Sequence, residues 1–170
     1  NLEGTASGWA GRTHMSWQQL DAKQLSTTAL THCIKSANPR AIEPGRYTTV
    51  LEPAAVSRLV DYAVQALDRN RAETKKTVYT DMTAPRQANG RYATKIGQRV
   101  FDPRITITSD PTDPDCGYMP FDPTGYPYNK VTWVDQGVLK ELAYDRAYAQ
   151  RYHQADSAVP KKTDYRMSGG

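Results

Sequence analysis

Hydrophobic and polar positions alternate most regularly in the second half of the chain. Residues 105–108 read Ile-Thr-Ile-Thr, β-branched throughout, and proline stands before them at 103 and after them at 111. Side chains that alternate with a period of two lie on opposite faces of a strand. The pattern therefore predicts a strand at 105–108 with one buried face.

Two further alternating runs, Lys130–Val134 and Val138–Tyr144, flank the tripeptide Asp135-Gln136-Gly137. A three-residue hairpin connection needs positive φ at one position, which glycine adopts readily. We predict an antiparallel hairpin that turns at 135–137. This register would place Trp133 opposite Leu139.

Two stretches have the spacing of three and four residues that is typical of an amphipathic helix. In the first, Ser16 or Asp21 suits the N-cap and Pro39 ends the helix. In the second, Pro53 suits the first helical position, and the helix is expected to end near Asn70. The first helix is predicted to pack through Ala22, Leu25, Ala29, Cys33 and Ala37, widened by Leu30 and Ile34. The second is predicted to bury Val56, Leu59, Val60, Ala63 and Leu67, and to expose Arg58, Asp61, Gln65 and Asp68.

The remaining segments give weaker patterns. Glycine-rich residues 1–11 favour an extended strand, with an arm over another surface as the alternative, and 47–51 predict a short strand. Residues 144–152 predict a short helix, and the tail 153–170 is expected to be irregular. Helices and strands in mixed order with a hairpin predict an α+β fold, with a mainly antiparallel sheet and helices packed on it.

Composition favours a folded domain. The chain has 170 residues, enough for one sizeable core, and its eleven Tyr and three Trp offer large surfaces for burial despite a mean hydropathy of −0.72. No apolar run approaches the roughly 20 residues of a membrane span, and no signal peptide pattern opens the chain. We expect a single domain, 1–170, in the cytoplasm, with Cys33 and Cys116 as reduced thiols.

Positive charge is concentrated in segment 69–104. It holds nine Lys and Arg against three acids, a local balance of +6 in a chain whose total is +4. With proline and glycine and little periodicity, the segment predicts a long, solvated surface loop. Two alternatives stay open: a nucleic-acid contact in which Tyr79 and Tyr92 stack on bases, and a loop that crosses a partner subunit.

No constellation of catalytic or metal-binding residues stands out. The histidines are His14, His32 and His153. They are too dispersed for a zinc site and are expected at the surface. Segment 110–115 contains three aspartates and two prolines. It lacks the glycine and glutamate of a calcium loop, so turn formation is favoured over calcium binding. Ser7, Ser16 and Ser57 have no His and Asp at a spacing that would mark a nucleophile, and the chain has no Gly-x-Ser-x-Gly nucleophile elbow. Together these patterns predict no catalytic, cofactor-binding or metal-binding residue.

Several segments, taken in order, resemble a known family. They are 95–107 (Lys-Ile-Gly-Gln-Arg-Val-Phe-Asp-Pro-Arg-Ile-Thr-Ile), 109–111, 120–127 (Pro-Phe-Asp-Pro-Thr-Gly-Tyr-Pro), 131–142 and 166–170. The series resembles the C-terminal half of the TldD/PmbA family, described as modulators of DNA gyrase and as peptidases. The resemblance covers about Pro39 to Gly170. It implies that the chain is a fragment of a longer one, with a domain before it and further strands after it.

Catalytic members of this family carry a His-Glu-x-x-x-His helix. Its expected place here is the helix after Leu51-Glu52-Pro53, which has no histidine. The resemblance therefore implies a PmbA-like, non-catalytic subunit without a zinc ligand. Such a subunit is expected to pair with a TldD-like zinc peptidase, or with itself, and to act in peptide degradation or maturation. The alternative is a gyrase-associated or nucleic-acid-binding modulator that uses segment 69–104, and a module that only dimerises is the third possibility.

Overall fold

The computed structural model describes residues 6–12, 14, 16–113, 120–122, 125–152 and 166–169. The chain forms two compact units, Asn1–Val50 and Leu51–Gly170, where the sequence predicted one domain. In the described part of the first unit no side chain is fully buried, whereas the second unit contains a hydrophobic core.

The first predicted helix is present in the first unit as α1, Ala22–Ser36. Asp21, rather than Ser16, is its N-cap and accepts a hydrogen bond from the Gln24 amide at 2.9 Å. Leu25, Ala29, Cys33 and Ala37 are half-buried in agreement with the predicted stripe, whereas Ala22 is exposed. The widened stripe is wrong, because Leu30 and Ile34 are 60% and 67% exposed.

The described residues before α1 do not form the predicted strand. Residues 6–11 run against α1 instead, where Ser36 Oγ donates to Ser7 O at 2.8 Å. A Cβ on Gly8 would stand 1.9 Å from Ala29 O, so glycine is required for this close approach. Side-chain and helix contacts thus replace strand pairing in this segment. Residues 1–5 of the prediction lie outside the described residues.

The short strand predicted at 47–51 is also wrong, since this segment has no β partner in the part of the chain that the structure describes. Val50 is 97% exposed. β-branched residues favour extended backbone, but a strand also needs a neighbour for its backbone hydrogen bonds.

The second predicted helix is α2, Pro53–Gln65, with Pro53 at its first position as expected. It ends five residues before Asn70, and its buried face is rotated from the predicted one. Val64 is buried, whereas Leu59 is 60% exposed, so the prediction of a buried Leu59 is wrong. Leu67 is fully buried as predicted, but it lies beyond the end of the helix. Within α2, Val64 belongs to the core and Val60 packs against it, whereas Leu59 does not, so periodicity alone misplaced Leu59.

Segment 69–104 is not the predicted loop. It contains α3 (Arg69–Glu73) and two short antiparallel strands, β1 (Thr80–Asp81) and β2 (Ala93–Thr94). Asp68 is the N-cap of α3, and its Oδ1 accepts a hydrogen bond from the Arg71 amide at 2.8 Å. Asp68 was predicted to be exposed, but it is half-buried. Strands of two residues are too short to produce a readable period, which is why the sequence pattern missed them.

The main sheet has four antiparallel strands in the order β5-β4-β3-β6. Its members are β3 (Ile105–Ser109), β4 (Val131–Asp135), β5 (Val138–Leu139) and β6 (Arg166–Gly169). The predicted strand at 105–108 and the predicted hairpin are confirmed, but the second strand of the hairpin ends at Leu139 rather than at Tyr144. The irregular tail is corrected at 166–169, which pair with β3. Residues 153–165 and Gly170 lie outside the described residues.

The hairpin turn is tighter than predicted. Val134 pairs with Leu139 and Asp135 with Val138, so the expected pairing of Trp133 with Leu139 is wrong by one residue. The turn consists of Gln136 and Gly137, with φ of 46° and 79°. Positive φ at both positions is what a two-residue type I′ turn needs, and its twist matches that of the strands.

The core of the second unit lies between the main sheet and the helix ends. Its buried members are Val64, Leu67, Ala72, Tyr79, Ile107, Trp133, Val134, Leu139, Leu142 and Ala143. Helices beside antiparallel sheets confirm the α+β class. A search of the described residues finds no helix with both the length and the apolarity that crossing a bilayer demands.

Candidate functional site

The second unit contains a cleft of about 560 Å³. Its lining residues are Asp68, Asn70, Asp122, Tyr128, Ala143, Tyr144, Asp145, Ala147, Tyr148, Arg151 and Tyr152. The volume is within the range of about 300 to 1,000 Å³ that small-ligand sites occupy. The cleft is therefore large enough for one or two amino-acid side chains.

Backbone hydrogen bonds bring the two sides of the cleft together. The Arg69 amide donates to Ala143 O at 2.8 Å, and the Ala143 amide donates to Leu67 O at 3.1 Å. This parallel bridge holds the start of α3 beside the segment that leads into α4, Arg146–Arg151. The helix predicted at 144–152 is present as α4, with shorter bounds. It forms one side of the cleft.

The two carboxylates at these helix starts have the same structural role. Asp68 caps α3, and Asp145 caps α4 by accepting the Tyr148 amide at 2.7 Å. Aspartate is among the preferred N-cap residues because its side chain satisfies an otherwise unpaired amide. Both caps line the cleft, so local helix chemistry places two negative charges there.

Three tyrosines form the aromatic side of the cleft. Tyr144, Tyr148 and Tyr152 follow one another at intervals of four residues: Tyr144 precedes the N-cap of α4, Tyr148 lies within the helix and Tyr152 is its C-cap. The ring centroids of Tyr144 and Tyr148 are 5.4 Å apart, and those of Tyr148 and Tyr152 are 4.7 Å apart. These are favourable distances for tilted aromatic pairs. We call this arrangement the tyrosine ladder.

A buried ionic cluster holds the tyrosine ladder in place. The Glu73 carboxylate is 6% exposed and accepts from the Tyr148 hydroxyl at 2.8 Å and from Arg91 Nε at 2.6 Å. Arg91 Nη1 also donates to the Tyr152 hydroxyl at 2.6 Å. Arg69 Nε lies 3.7 Å from Glu73 Oε1; it is buried and makes no hydrogen bond to the described residues. Its charge is compensated by the carboxylate and by the nearby Tyr144 ring.

The same arginines also contact the faces of the ladder. The Arg91 guanidinium lies 4.5 Å from the Tyr152 ring centroid, and that of Arg69 lies 5.6 Å from the Tyr144 centroid. Burial raises the pKa of Tyr148, and its hydrogen bond to Glu73 raises it further. The pKa of Tyr144 is also raised, mainly by burial. Tyr144 and Tyr148 are therefore neutral at physiological pH.

The turn after Pro120 also contributes to the lining of the cleft, through Asp122. Asp122 is 8% exposed, and its Oδ1 accepts the Tyr126 amide at 2.9 Å. The Gly125 amide also donates to Asp122 O at 2.8 Å. This turn belongs to the Phe-Asp-Pro-Thr-Gly segment that carried the family resemblance. In the sequence this segment marks the family, but nothing in its pattern identifies Asp122 as a site residue.

The tyrosine ladder, Glu73 and Arg91 are likewise absent from the site residues that the sequence predicted. A signal for the ladder was present, because tyrosine recurs at every fourth residue from 144 to 152. No local signal connects Glu73 with Arg91, which are 18 residues apart.

The histidines and cysteines do not form a site in the described residues. His14 Nδ1 is 3.0 Å from the Ser16 amide, and His32 Nδ1 is 3.2 Å from Trp9 O. Both are half-buried rather than at the surface as expected, and both belong to the first unit. Cys33 is a free thiol, as predicted. His153 and Cys116 lie outside the described residues.

The residues do not fit the zinc ion that the family resemblance suggests. Helix α2 carries no histidine. Among the described residues, no three His, Cys, Asp or Glu side chains are placed to share a metal ion. No catalytic step through zinc is therefore derived for this chain.

Asp110 forms a turn, as the sequence favoured. Its Oδ1 accepts from the Thr112 amide at 2.9 Å and from the Thr112 hydroxyl at 2.6 Å, and its Oδ2 lies 3.1 Å from Lys130 Nζ. The hydrogen bonds of Thr112 and the nearby Lys130 lower the pKa of Asp110 to about 2. Asp115, the last aspartate of the segment, lies outside the described residues.

Several arginines of the basic segment contact their own chain. Arg91 belongs to the cluster described above. Arg86 donates to the Tyr92 hydroxyl at 2.6 Å, Arg99 donates to Gln136 O at 3.1 Å, and Arg104 lies 2.9 Å from Asp102. Much of the local positive charge thus has an intramolecular partner. These contacts weaken the nucleic-acid interpretation of the segment.

The fold and the cleft define the class of protein: an α+β domain with a ligand-sized, tyrosine-lined site beside its sheet. The family model described as PmbA/TldA metallopeptidase C-terminal domain matches residues 44–167. This match covers most of the chain, so the chain belongs to the PmbA/TldD family. The resemblance seen in the sequence is thereby confirmed.

Individual relatives agree with this assignment. A "Metalloprotease" of Archaeoglobus fulgidus is 37% identical over 57 residues, which are 34% of this chain and 13% of that protein. A "putative modulator of DNA gyrase" from Bacteroides thetaiotaomicron aligns over 92% of this chain and 33% of its own, with 20% identity and a TM-score of 0.70. A protein of the same description from Thermotoga maritima aligns over 86% of this chain and 31% of its own, with 17% identity and a TM-score of 0.68.

The two solved structures show that the fold is shared. The present chain spans about a third of each of those chains. It spans a still smaller part of the Archaeoglobus protein.

Proposed function

We propose that this chain is part of a PmbA-like subunit that lacks the catalytic zinc ligands and works with a TldD-like zinc peptidase in degrading or maturing peptides. The proposal rests on the absence of histidine from α2, because the chain belongs to a metallopeptidase-related family. The family resemblance implies that Pro53–Gln65 is the place of the His-Glu-x-x-x-His helix, and this helix contains no histidine. A catalytic zinc needs about three protein ligands and one open position for water. Catalysis therefore requires a partner.

The cleft supplies a role for a subunit that does not cleave. A peptidase assembly must hold an extended substrate on both sides of the bond that is broken, and binding energy away from that bond contributes to positioning. The tyrosine ladder offers a rigid aromatic surface because Glu73 and Arg91 restrain its hydroxyl groups. We propose that this surface grips part of the peptide, and that the protein acts in the cytoplasm.

The test compares the chain alone, a TldD-like partner with an intact His-Glu-x-x-x-His motif alone, and the mixture. Fluorescein-labelled, partly digested casein is the substrate, and elemental analysis reports zinc. We expect cleavage to rise only on mixing and zinc to remain with the partner. Near-equimolar zinc and chelator-sensitive cleavage by the isolated chain would overturn the proposal. A partner with the motif Glu replaced by Gln is the control, and gel filtration distinguishes pairing from self-association.

A second candidate is association with DNA or gyrase, favoured by the net charge of segment 69–104 and by the description of the two solved relatives. Binding through phosphate contacts weakens steeply as salt rises. The test is a duplex DNA titration across ionic strengths, with the Lys76→Gln/Lys95→Gln double variant as comparison. A reduced salt slope in the variant supports this candidate. No duplex binding at about 0.15 M salt removes the direct DNA contact.

A further inference from the structure

The cleft has an excess of negative charge. Three of its lining residues, Asp68, Asp122 and Asp145, are carboxylates, whereas Arg151 is its one lining cation among the described residues. Behind the lining, the charge of Glu73 is exceeded by those of Arg69 and Arg91. The lining charges are nearer to a ligand in the cleft than this second layer, and they are mostly negative. The local field therefore favours a cationic ligand group.

The aromatic surface favours the same class of ligand. Tyrosine faces attract ammonium and guanidinium groups within about 6 Å of the ring centroid. In this molecule Arg91 already lies 4.5 Å from the Tyr152 centroid. Arg91 does not line the cleft, whereas Tyr144, Tyr148 and Tyr152 do, so a ligand in the cleft would contact the tyrosines rather than Arg91. Tyr128 adds a fourth phenol to the lining.

The placement of the carboxylates argues for an extended ligand rather than a single ion. In the described residues no three acidic, histidine or cysteine side chains are close enough to share a metal ion. Asp68 and Asp145 stand at the starts of two helices, and Asp122 belongs to the separate turn after Pro120. Separated carboxylates along an aromatic wall suit a cation carried on a flexible aliphatic stem.

We propose that the cleft is a specificity site for a basic side chain, lysine or arginine, of a bound peptide. The proposal rests on the peptide-binding role proposed above and names the class of residue that the cleft selects. The aliphatic stem lies on the tyrosine ladder, and the charged end lies between the carboxylates of Asp68, Asp122 and Asp145. Apolar and acidic side chains lack this electrostatic complement and bind less tightly.

The test measures fluorescence anisotropy with three labelled pentapeptides, Ala-Ala-X-Ala-Ala, in which X is lysine, norleucine or glutamate. Norleucine keeps the aliphatic stem of lysine and lacks its charge, so the pair isolates the electrostatic contribution. The full 170-residue chain is used. We expect the order lysine, norleucine, glutamate in decreasing affinity, and we expect the preference for lysine to shrink as salt increases.

The variants Asp68→Asn and Asp145→Asn remove charge while keeping the cap, because asparagine is as good an N-cap as aspartate. Each is expected to weaken lysine-peptide binding by about two- to fivefold, the effect of one partly exposed ion pair, and to leave norleucine-peptide binding and the melting midpoint unchanged. The matched control is Asp135→Asn. This residue pairs with Lys140 at 3.6 Å and does not line the cleft.

The outcomes separate this proposal from the proposed function. Equal affinity for the lysine and norleucine peptides, or tighter binding of the glutamate peptide, would overturn the selectivity while cleavage on mixing with the partner remains intact. Binding of none of the three peptides would also overturn it. A variant that loses lysine-peptide and norleucine-peptide affinity together would show that the aspartates act through structure rather than charge.

Discussion

Arg91 Nε lies 2.6 Å from Glu73 Oε2, and this pair joins the loop after β1 to α3 and, through Tyr148 and Tyr152, to α4. The side chains of Arg91 and Glu73 are 13% and 7% exposed. Water therefore screens their charges weakly, and each depends on the other for compensation.

Arg91→Met is expected to destabilise the fold by about 3 to 5 kcal/mol, because it leaves the Glu73 carboxylate buried with only the more distant Arg69 as counter-charge. Chemical denaturation of the variant and the original chain measures the difference. The control is Arg104→Met, which removes a pair whose partners are 72% and 44% exposed and is expected to cost about 0 to 1 kcal/mol. Equal losses for the two variants would contradict the assigned role of the buried pair.

Leu67→Ala is expected to cost about 2 to 5 kcal/mol, since a fully buried leucine leaves a cavity when it is truncated. Leu67 is 0% exposed and packs in the core of the second unit. Leu59→Ala is the matched comparison, because Leu59 is 60% exposed and a surface truncation usually changes stability by no more than about 0.5 kcal/mol. Thermal unfolding of both variants decides between the observed helix face and the one that periodicity predicted.

Gly137→Ala is expected to destabilise more than Gly97→Ala. Both glycines have positive φ, 79° at Gly137 and 87° at Gly97, so any side chain incurs a similar backbone cost. A Cβ at Gly137 would stand 2.4 Å from Phe101 O, whereas a Cβ at Gly97 would meet nothing within 4 Å. We expect about 1 kcal/mol at Gly97 and about 1 to 3 kcal/mol more at Gly137, where the turn must shift. A smaller loss at Gly137 would contradict the close approach.

Stability is expected to fall between about pH 10 and pH 12 in a manner that depends on Tyr79. Burial raises the pKa of Tyr79 from 10.0 to about 12. The unfolded chain releases this proton first, so stability is fully present below pH 10 and is lost as pH approaches 12. Tyr79→Phe removes the titrating group and is expected to make unfolding less dependent on pH in this window. An unchanged pH profile in the variant would show that other groups, such as lysines, cause the loss. The Tyr79 hydroxyl donates a hydrogen bond to Ala63 O at 3.1 Å. The variant lacks this bond at every pH, so its loss lowers the stability by a constant amount and does not change the pH dependence.

Local sequence patterns determined α1, α2, α4, β3 and the hairpin of β4 and β5, because each rests on interactions within a few residues. Helix caps, proline positions and the alternation of β-branched residues act over one turn or one strand. The order of the family segments likewise identified the family. None of these patterns, however, contains the distance between segments that are far apart in the chain.

Tertiary structure alone decided which faces are buried and where the cleft lies. Leu59 and Leu67 are both leucines at helical spacing, yet only Leu67 reaches the core, since the chain turns after Gln65. The strands β1 and β2 have two residues each and exist because they pair with one another, so no period reveals them. Glu73 and Arg91 become a buried pair only when the loop after β1 folds back on α3. Burial and charge compensation of this kind depend on the assembled fold, and local propensity carries no information about either.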